Sequence, residues 1–360
     1  MAAVIQRVST ATHSTWETFW RESEQATYFH SPEWADIWAE HTRGRVRPAP
    51  RLVLFSDGRQ ALLPLCFERR FGGLLSRYVS SPEATFGGWL SREPLTSSHA
   101  DLLFDWLLHA HGKSLVWRLN PYDELCFEAG RRRGIECRSD ETYALPLGSD
   151  PEALSKNFKA RCRTDIRKAR DAGFSICPAE THQDWIDYHR VYQDSLRRWG
   201  NRQEEGYERR LFEVLFERRS PYIQLWLARH GGQVVSGNIC FYAKRHVVYW
   251  LGATLESQLA SGVAKLLMSE IIQDSCRKGY GWFDFNPSAT LPGVKFFKEG
   301  FGARPLPAPV VYVDTRLKQL ARACAARLHI EGAKPDLAPL PAPAGASLNG
   351  SANSGFALSA

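Results

Sequence analysis

The chain has 360 residues, which at roughly 150 residues per domain is room for about two domains, each able to bury a core. Its hydrophobic share of 44% and charged share of 24% exclude a chain disordered throughout, a collagen and a disulfide-stapled miniprotein, and its 12 Trp suit cores or ligand walls. The net charge of +7 favours phosphate-bearing or anionic partners without identifying one. The 8 cysteines contain no CxxC pair and no His sits at zinc-finger spacing, so no metal site is expected. The opening MAAVIQRVSTATHS lacks an apolar signal core, and no segment approaches the roughly 18 uninterrupted apolar residues of a membrane span, which points to a cytoplasmic protein with reduced thiols.

In chain order, AVIQRVS reads as a strand, and Thr12 to Ser23 and Ser31 to Thr42 carry helical spacing, the second opening with a Ser cap followed by Pro. RLVLFS and ALLPLCFER flank SDGRQ, whose Asp-Gly step signals a hairpin. After a Gly-rich, aromatic stretch from Phe71 to Leu90 come a helix from Ser97 to His111, the strand SLVWRL, a helix from Tyr122 to Gly134 and the strand TYALPL. The second half repeats this plan. A basic helix from Pro151 to Ala172 leads to FSICPA, to helices Thr181 to Trp199 and Glu204 to Arg218, and to the strands YIQLWLAR, VVSGNICFYA and HVVYWLGAT, which turn at His230-Gly231-Gly232-Gln233 and Lys244-Arg245. A helix from about Ser261 to Lys278, the strand YGWFDF, a short helix from Gly293 to Glu299, the strand PVVYVD and a helix from Arg316 to His329 follow.

The expected class is α/β (α+β): residues 1–147 and 148–330 form two similar domains, each a mixed, mostly antiparallel sheet flanked by helices. Residues 331–360, rich in Pro, Ala, Gly and Ser, hold too few large apolar side chains to offset the entropy of ordering and are expected to be disordered.

The run GNICFYAKRHVVYWLGAT, then GYGWFDFNPS and GVKFFKEGFGA, resembles the C-terminal half of FemAB-like proteins, which are tandem GNAT acyltransferase domains. SKNFKARCRTDIRKARDAG looks like the Lys/Arg-rich helix before that domain, and FHSPEWADIW like the opening of the N-terminal one; the resemblance covers most of residues 25 to 315. It implies an N-acyltransferase that moves an acyl or aminoacyl group from acyl-CoA or aminoacyl-tRNA to an amine by direct attack in a ternary complex, in cell-envelope or polysaccharide biosynthesis. No cofactor is then bound permanently, the donor being a substrate. The partners implied are that donor and an amine-bearing envelope or small-molecule acceptor; peripheral membrane association is left open, and DNA is not a partner.

By the resemblance, Phe297 and Lys298 line the transfer site, the ammonium stabilising charge on the carbonyl oxygen; otherwise they belong to the apolar and solvated faces of a short helix, with Phe296, Phe297 and Phe301 on its core side. Ser261, Gly262 and Ala264 sit where GNAT enzymes hold the coenzyme A pyrophosphate on backbone amides, although Leu259 stands where Arg or Gln is usual; otherwise Ser261 is an ordinary helix cap. Lys159, Arg163 and Arg167 share a helix face with Lys156 and Arg170, opposite Phe158, Cys162, Ile166 and Ala169, and form either a phosphate-binding stripe or a solvated surface. Only Asp165 offsets that positive charge locally.

Arg198 and Trp199 end a helix at the connection that faces the acceptor cleft in the family: the first to grip a carboxylate or phosphate, the second to wall the pocket, unless both merely finish the helix. Tyr249, Asp284, Asn286 and Ser288 fall at strand ends that border the cleft. Tyr249 is a candidate proton donor or a packing tyrosine, Asp284 a candidate base or orienter of the amine, and Asn286 and Ser288 candidate acceptor contacts or turn residues around Pro287. Peptidoglycan-bridge enzymes carry a Lys-Asp pair where this chain has Trp38 and Ala39, and no coiled-coil arm interrupts the second half, so a different acceptor is expected. The alternative function is a non-catalytic, degenerate GNAT module that binds RNA or anionic polymer through the basic helix.

Overall fold

In the computed structural model of the chain, the structure describes residues 3–70, 73, 75–109, 114–199, 206–287, 292–313 and 337–339. The first half comprises β1 (Ile5–Thr10), α1 (His13–Glu22), α2 (Pro32–His41), β2 (Val46–Pro48), β3 (Arg51–Phe55), β4 (Gln60–Leu63), β5 (Cys66–Arg70), β6 (Leu75–Val79), α3 (Ser97–His109), β7 (Ser114–Arg118), α4 (Glu124–Arg132), β8 (Glu136–Arg138) and β9 (Glu141–Pro146). The second comprises α5 (Pro151–Lys156), α6 (Ala160–Asp171), β10 (Ser175–Pro178), α7 (His182–Trp199), α8 (Arg209–Glu217), β11 (Ile223–His230), β12 (Gln233–Ala243), β13 (His246–Thr254), α9 (Val263–Arg277), β14 (Trp282–Asp284), α10 (Pro292–Gly300), β15 (Arg304–Pro307) and β16 (Val310–Val313), with β17 (Leu337–Pro339) beyond. Local chemistry sets the helix starts: the Ser31 hydroxyl accepts from Trp34 N at 3.1 Å with Pro32 behind it, and Asp123 accepts from Cys126 N at 3.2 Å.

A three-stranded sheet, β1-β3-β4, accompanies two seven-stranded sheets, β17-β8-β16-β7-β6-β5-β2 and β10-β11-β12-β13-β14-β9-β15. The two halves exchange strands. β9 inserts between β14 and β15 of the second half, with Ala144 opposite both Asp284 and Arg304, and β16 inserts between β7 and β8 of the first, with Val310 opposite both Arg118 and Arg138. The expected boundary at residues 147 and 148 divides the chain but not the sheets. Arg118, 5% exposed, locks the exchange by donating to the Ala308 carbonyl at 3.0 Å and pairing with Asp140 at 2.9 Å.

Packing reinforces the exchange, because a single apolar cluster joins Tyr28, Phe29 and Trp34 of the first half to Tyr188, Phe212 and Phe241 of the second. Tyr28 and Phe241 stack with centroids 4.6 Å apart, and Trp34 meets Phe241 edge-on at 5.1 Å. Two outer clusters lie to either side, one under α3 and α4, the other between α6, α9 and the second sheet.

Several expectations are corrected. The basic helix is broken: Phe158 is buried, Lys159 N turns to the Gly300 carbonyl at 2.9 Å, and α6 starts afresh at Ala160. The helix expected from Glu204 starts at Arg209 among the described residues. β2, β6, β8 and β15 are short strands that carry no clean alternation and escaped the periodicity reading. In the tail read as disordered, Leu337–Pro339 pairs with Glu136–Arg138, whose outer edge offers the hydrogen bonds; the Arg316 to His329 helix lies outside the described residues.

The exchange predicts that fragments 1–147 and 148–330 expressed apart show no cooperative unfolding by circular dichroism, each sheet lacking an internal strand, and that mixing them restores one transition. A sharp independent transition in either fragment contradicts the interlocked fold.

Candidate active site

β13 and β14 run parallel only from His246 opposite Trp282 to Val248 opposite Asp284, after which β13 continues to Thr254 against β12 alone. A register shift between Ile239 and Cys240 sets Trp250 as an extra residue on β13 at this point. The strands therefore part, and a cavity of about 280 Å³ opens beside the free length of β13, closed by residues of α7, α9 and α10. Its walls bring together Tyr249, Ala264, Phe297, Lys298 and Arg198, five of the residues singled out from the sequence, with Leu259 at its edge. Gly252 is required here, because a Cβ would lie 2.1 Å from the Tyr249 hydroxyl and 2.5 Å from Asn238 Oδ1. Burial keeps the Tyr249 hydroxyl protonated by raising its pKa.

Lys298 is only 2% exposed. Its ammonium donates to the Asn286 carbonyl and lies 5.8 Å from the centre of the Tyr143 ring. Burial lowers its pKa to about 8, against the opposing pull of Asp284. Asp284 is fully buried; it accepts from Thr142 Oγ1 at 2.5 Å, Tyr122 OH at 2.6 Å and Asn286 N at 2.6 Å. Desolvation nevertheless raises its pKa, the hydrogen bonds and Lys298 opposing. Both carboxylate oxygens are thus occupied, so Asp284 is not free to take a substrate proton. Asn286 adopts left-handed backbone, φ 60°, and leaves its buried Oδ1 without a hydrogen-bond partner. Phe297 is half-buried against Phe301, whereas Phe296, expected in the core, is 56% exposed beneath Lys159.

At the expected donor turn, Ser261 Oγ accepts from Val263 N at 3.2 Å and Gly262 is left-handed, φ 82°. A Cβ on Gly262 would sit 2.7 Å from the Asp165 carbonyl, so α6 packs directly on the turn, and Lys265 pairs with Asp165 at 2.5 Å. α6 buries Cys162, Ile166 and Ala169 as expected. Its cationic face is more engaged than the local sequence implied. Lys159 pairs with Glu299 at 3.1 Å, Arg170 with Glu270 at 2.8 Å, and Arg163 donates to the Lys156 carbonyl at 2.8 Å. Arg161, Arg167 and Lys168 remain exposed, with no ion pair to them among the described residues.

On the acceptor side, Arg198 reaches the Thr254 carbonyl at 3.4 Å. The Trp199 side chain and Ser288 lie outside the described residues. Three contributors were missed in the sequence: Tyr122, Thr142 and Tyr143 come from the first half and reach Asp284 and Lys298 only because β9 is inserted beside β14. No short-range signal announces a contact 142 or 162 residues away in the chain. Among the described residues no group of His, Cys, Asp and Glu could hold a metal ion, and no helix is long and apolar enough to cross a membrane.

Residues 156–299 match the family model of an acetyltransferase (GNAT) domain. No curated protein matches the chain in sequence. The crystal structure of FemX superposes with a TM-score of 0.63 at 11% identity, covering 88% of this chain and 99% of that one. L-PGS from Bacillus licheniformis gives 0.56 at 15% identity, covering 89% and 98%. At such identities the likeness is one of fold. Residues 156–299 therefore match a GNAT-type acetyltransferase domain, within a chain whose fold is like that of FemX.

Proposed function

We propose that the chain transfers an acyl group from a carrier thioester or ester to an amine in the cavity beside β13, walled by α9 and α10. The observation that carries this reading is the buried Lys298 ammonium at the wall of that cavity. Its carbonyl partner, Asn286 O, uses one N–H, and two remain to meet the donor carbonyl oxygen as charge develops on it. The acceptor amine attacks the carbonyl carbon and forms the C–N bond; the C–S or C–O bond then breaks, and the leaving thiolate or alkoxide takes the proton that the amine gives up. Tyr249, held neutral in the same cavity, is placed to pass that proton to the leaving group. Phe297 and Arg198 shape the acyl and acceptor ends. Asp284 acts here as a positioning residue: it fixes Asn286 through its backbone N–H and holds negative charge near Lys298.

Arg167, with Arg161 and Lys168, is exposed on α6, the helix whose Asp165 packs on Gly262. These unpaired cations favour a donor whose long phosphodiester backbone lies outside while only the acyl end enters, as for aminoacyl-tRNA, over coenzyme A. An envelope or small-molecule amine remains the acceptor class of this reading. Nothing in the site favours the non-catalytic alternative.

Lys298→Met is expected to lower kcat by about 10²–10³-fold. The contribution of Lys298 to the parent's stability, followed by chemical denaturation, is expected to become more favourable as pH rises above about 8. The sign follows from the lowered pKa: the unfolded chain binds more protons between pH 8 and the usual lysine range, so the buried ammonium opposes folding below pH 8 and that opposition fades as pH rises. A stable variant with unchanged kcat removes Lys298 from the chemistry.

The pH profile of kcat in the parent protein is expected to fall above about pH 8, where the ammonium is lost, and Lys298→Arg is expected to shift that fall to higher pH whatever its absolute rate. A profile that only rises through pH 9 assigns Lys298 as a base instead.

Donor binding by titration at two salt concentrations separates the donors. Charged tRNA is expected to bind with a steep salt slope that Arg167→Gln reduces by about one phosphate contact; tight, salt-insensitive binding of acetyl-coenzyme A contradicts the choice of donor.

A further inference from the structure

A second cavity, of about 490 Å³, lies behind Asp284 and shares no lining residue with the transfer cavity. Both halves build it. Tyr122 forms its floor, 4.2 Å from the His246 ring and 5.7 Å from Trp282, and turns its hydroxyl away to Asp284. Glu24, Glu124 and Glu128 stand around it, all exposed, against one cation, Arg245. Glu24, Glu124 and Arg245 have no ion pair among the described residues, and Glu128 has only a distant one to Arg132 at 3.9 Å.

Independent of those carboxylates, His246 lines the same cavity at 3% exposure, and its Nδ1 has no hydrogen-bond partner. Burial lowers the pKa of this imidazole to about 3, so the ring is neutral. In the Nε2–H tautomer of this neutral ring, the unpartnered Nδ1 presents a lone pair to a donor. A buried acceptor, two aromatic faces and a surplus of carboxylates all call for the same complement: an N–H donor that carries positive charge on an apolar stem.

We propose that this cavity binds an aliphatic ammonium compound, its charge set among Glu24, Glu124 and Glu128 over Tyr122 and Trp282, with His246 Nδ1 accepting one N–H. The source is either a diamine or an amino acid whose carboxylate is met by Arg245. The site goes beyond the transfer reading and stands whether or not that reading holds.

The test is calorimetric titration of the full chain at low salt with cadaverine and, separately, with 6-aminohexanoate. Binding of cadaverine that weakens about tenfold or more in Glu124→Gln/Glu128→Gln, and is retained in Lys298→Met, supports the site. Weaker binding of 6-aminohexanoate alone in Arg245→Gln assigns the amino-acid form, and no effect of that variant assigns the diamine. Absence of binding by both compounds, or binding that the double variant leaves unchanged, overturns the proposal. Loss of binding in Lys298→Met also overturns it, by placing the ligand in the transfer cavity.

Discussion

Burying Asp284 and Lys298 side by side is the constraint on which the rest of the site depends. Neither group is stable in an apolar interior alone; each shifts toward its neutral form, and each is tolerated because the other and a fixed set of hydrogen bonds stand beside it. The required partners are a carbonyl for the ammonium and several donors for the carboxylate. The turn after β14 supplies Asn286 for both, and the first half of the chain supplies Tyr122 and Thr142.

That supply line explains the strand exchange. β9 delivers Thr142 to the carboxylate and Tyr143 to the ammonium while filling the sheet between β14 and β15. β16 makes the reciprocal insertion, and the buried Arg118–Asp140 pair joins the two crossings. The aromatic cluster around Trp34, Tyr28 and Phe241 then holds the halves together, so that Thr142 and Tyr143 of the first half keep their places beside Asp284 and Lys298. Where β13 runs on past β14, this frame leaves the cavity in which the proposed transfer takes place.

Much of this was legible in the sequence. The tandem plan, the hairpins at SDGRQ and His230 to Gln233, the cap at Ser31-Pro32, and the convergence of Tyr249, Ala264, Phe297 and Lys298 followed from periodicity, turn chemistry and family resemblance. What was not legible was long-range. Strand exchange leaves no local mark, because TYALPL and PVVYVD read as strands whichever sheet takes them. The break at Phe158 was hidden by a cationic pattern that runs through it, and the engagement of Lys159, Arg163 and Arg170 depends on Glu299, Glu270 and carbonyls that only the fold brings near. The role open to Asp284 likewise changed once Tyr122 and Thr142 were found on its oxygens.

In the proposed function, residues of the two halves act together on transfer through the Asp284–Lys298 pair, a coupling that reaction rates report. Its most direct measurement is a double-mutant cycle on the rate of acyl transfer, combining Tyr122→Phe with Lys298→Met in the full chain. Tyr122→Phe is expected to slow transfer in the parent background and to have almost no further effect once Lys298 is gone. Strictly additive losses would contradict it, leaving Tyr122 a structural residue of the first half with no part in the chemistry.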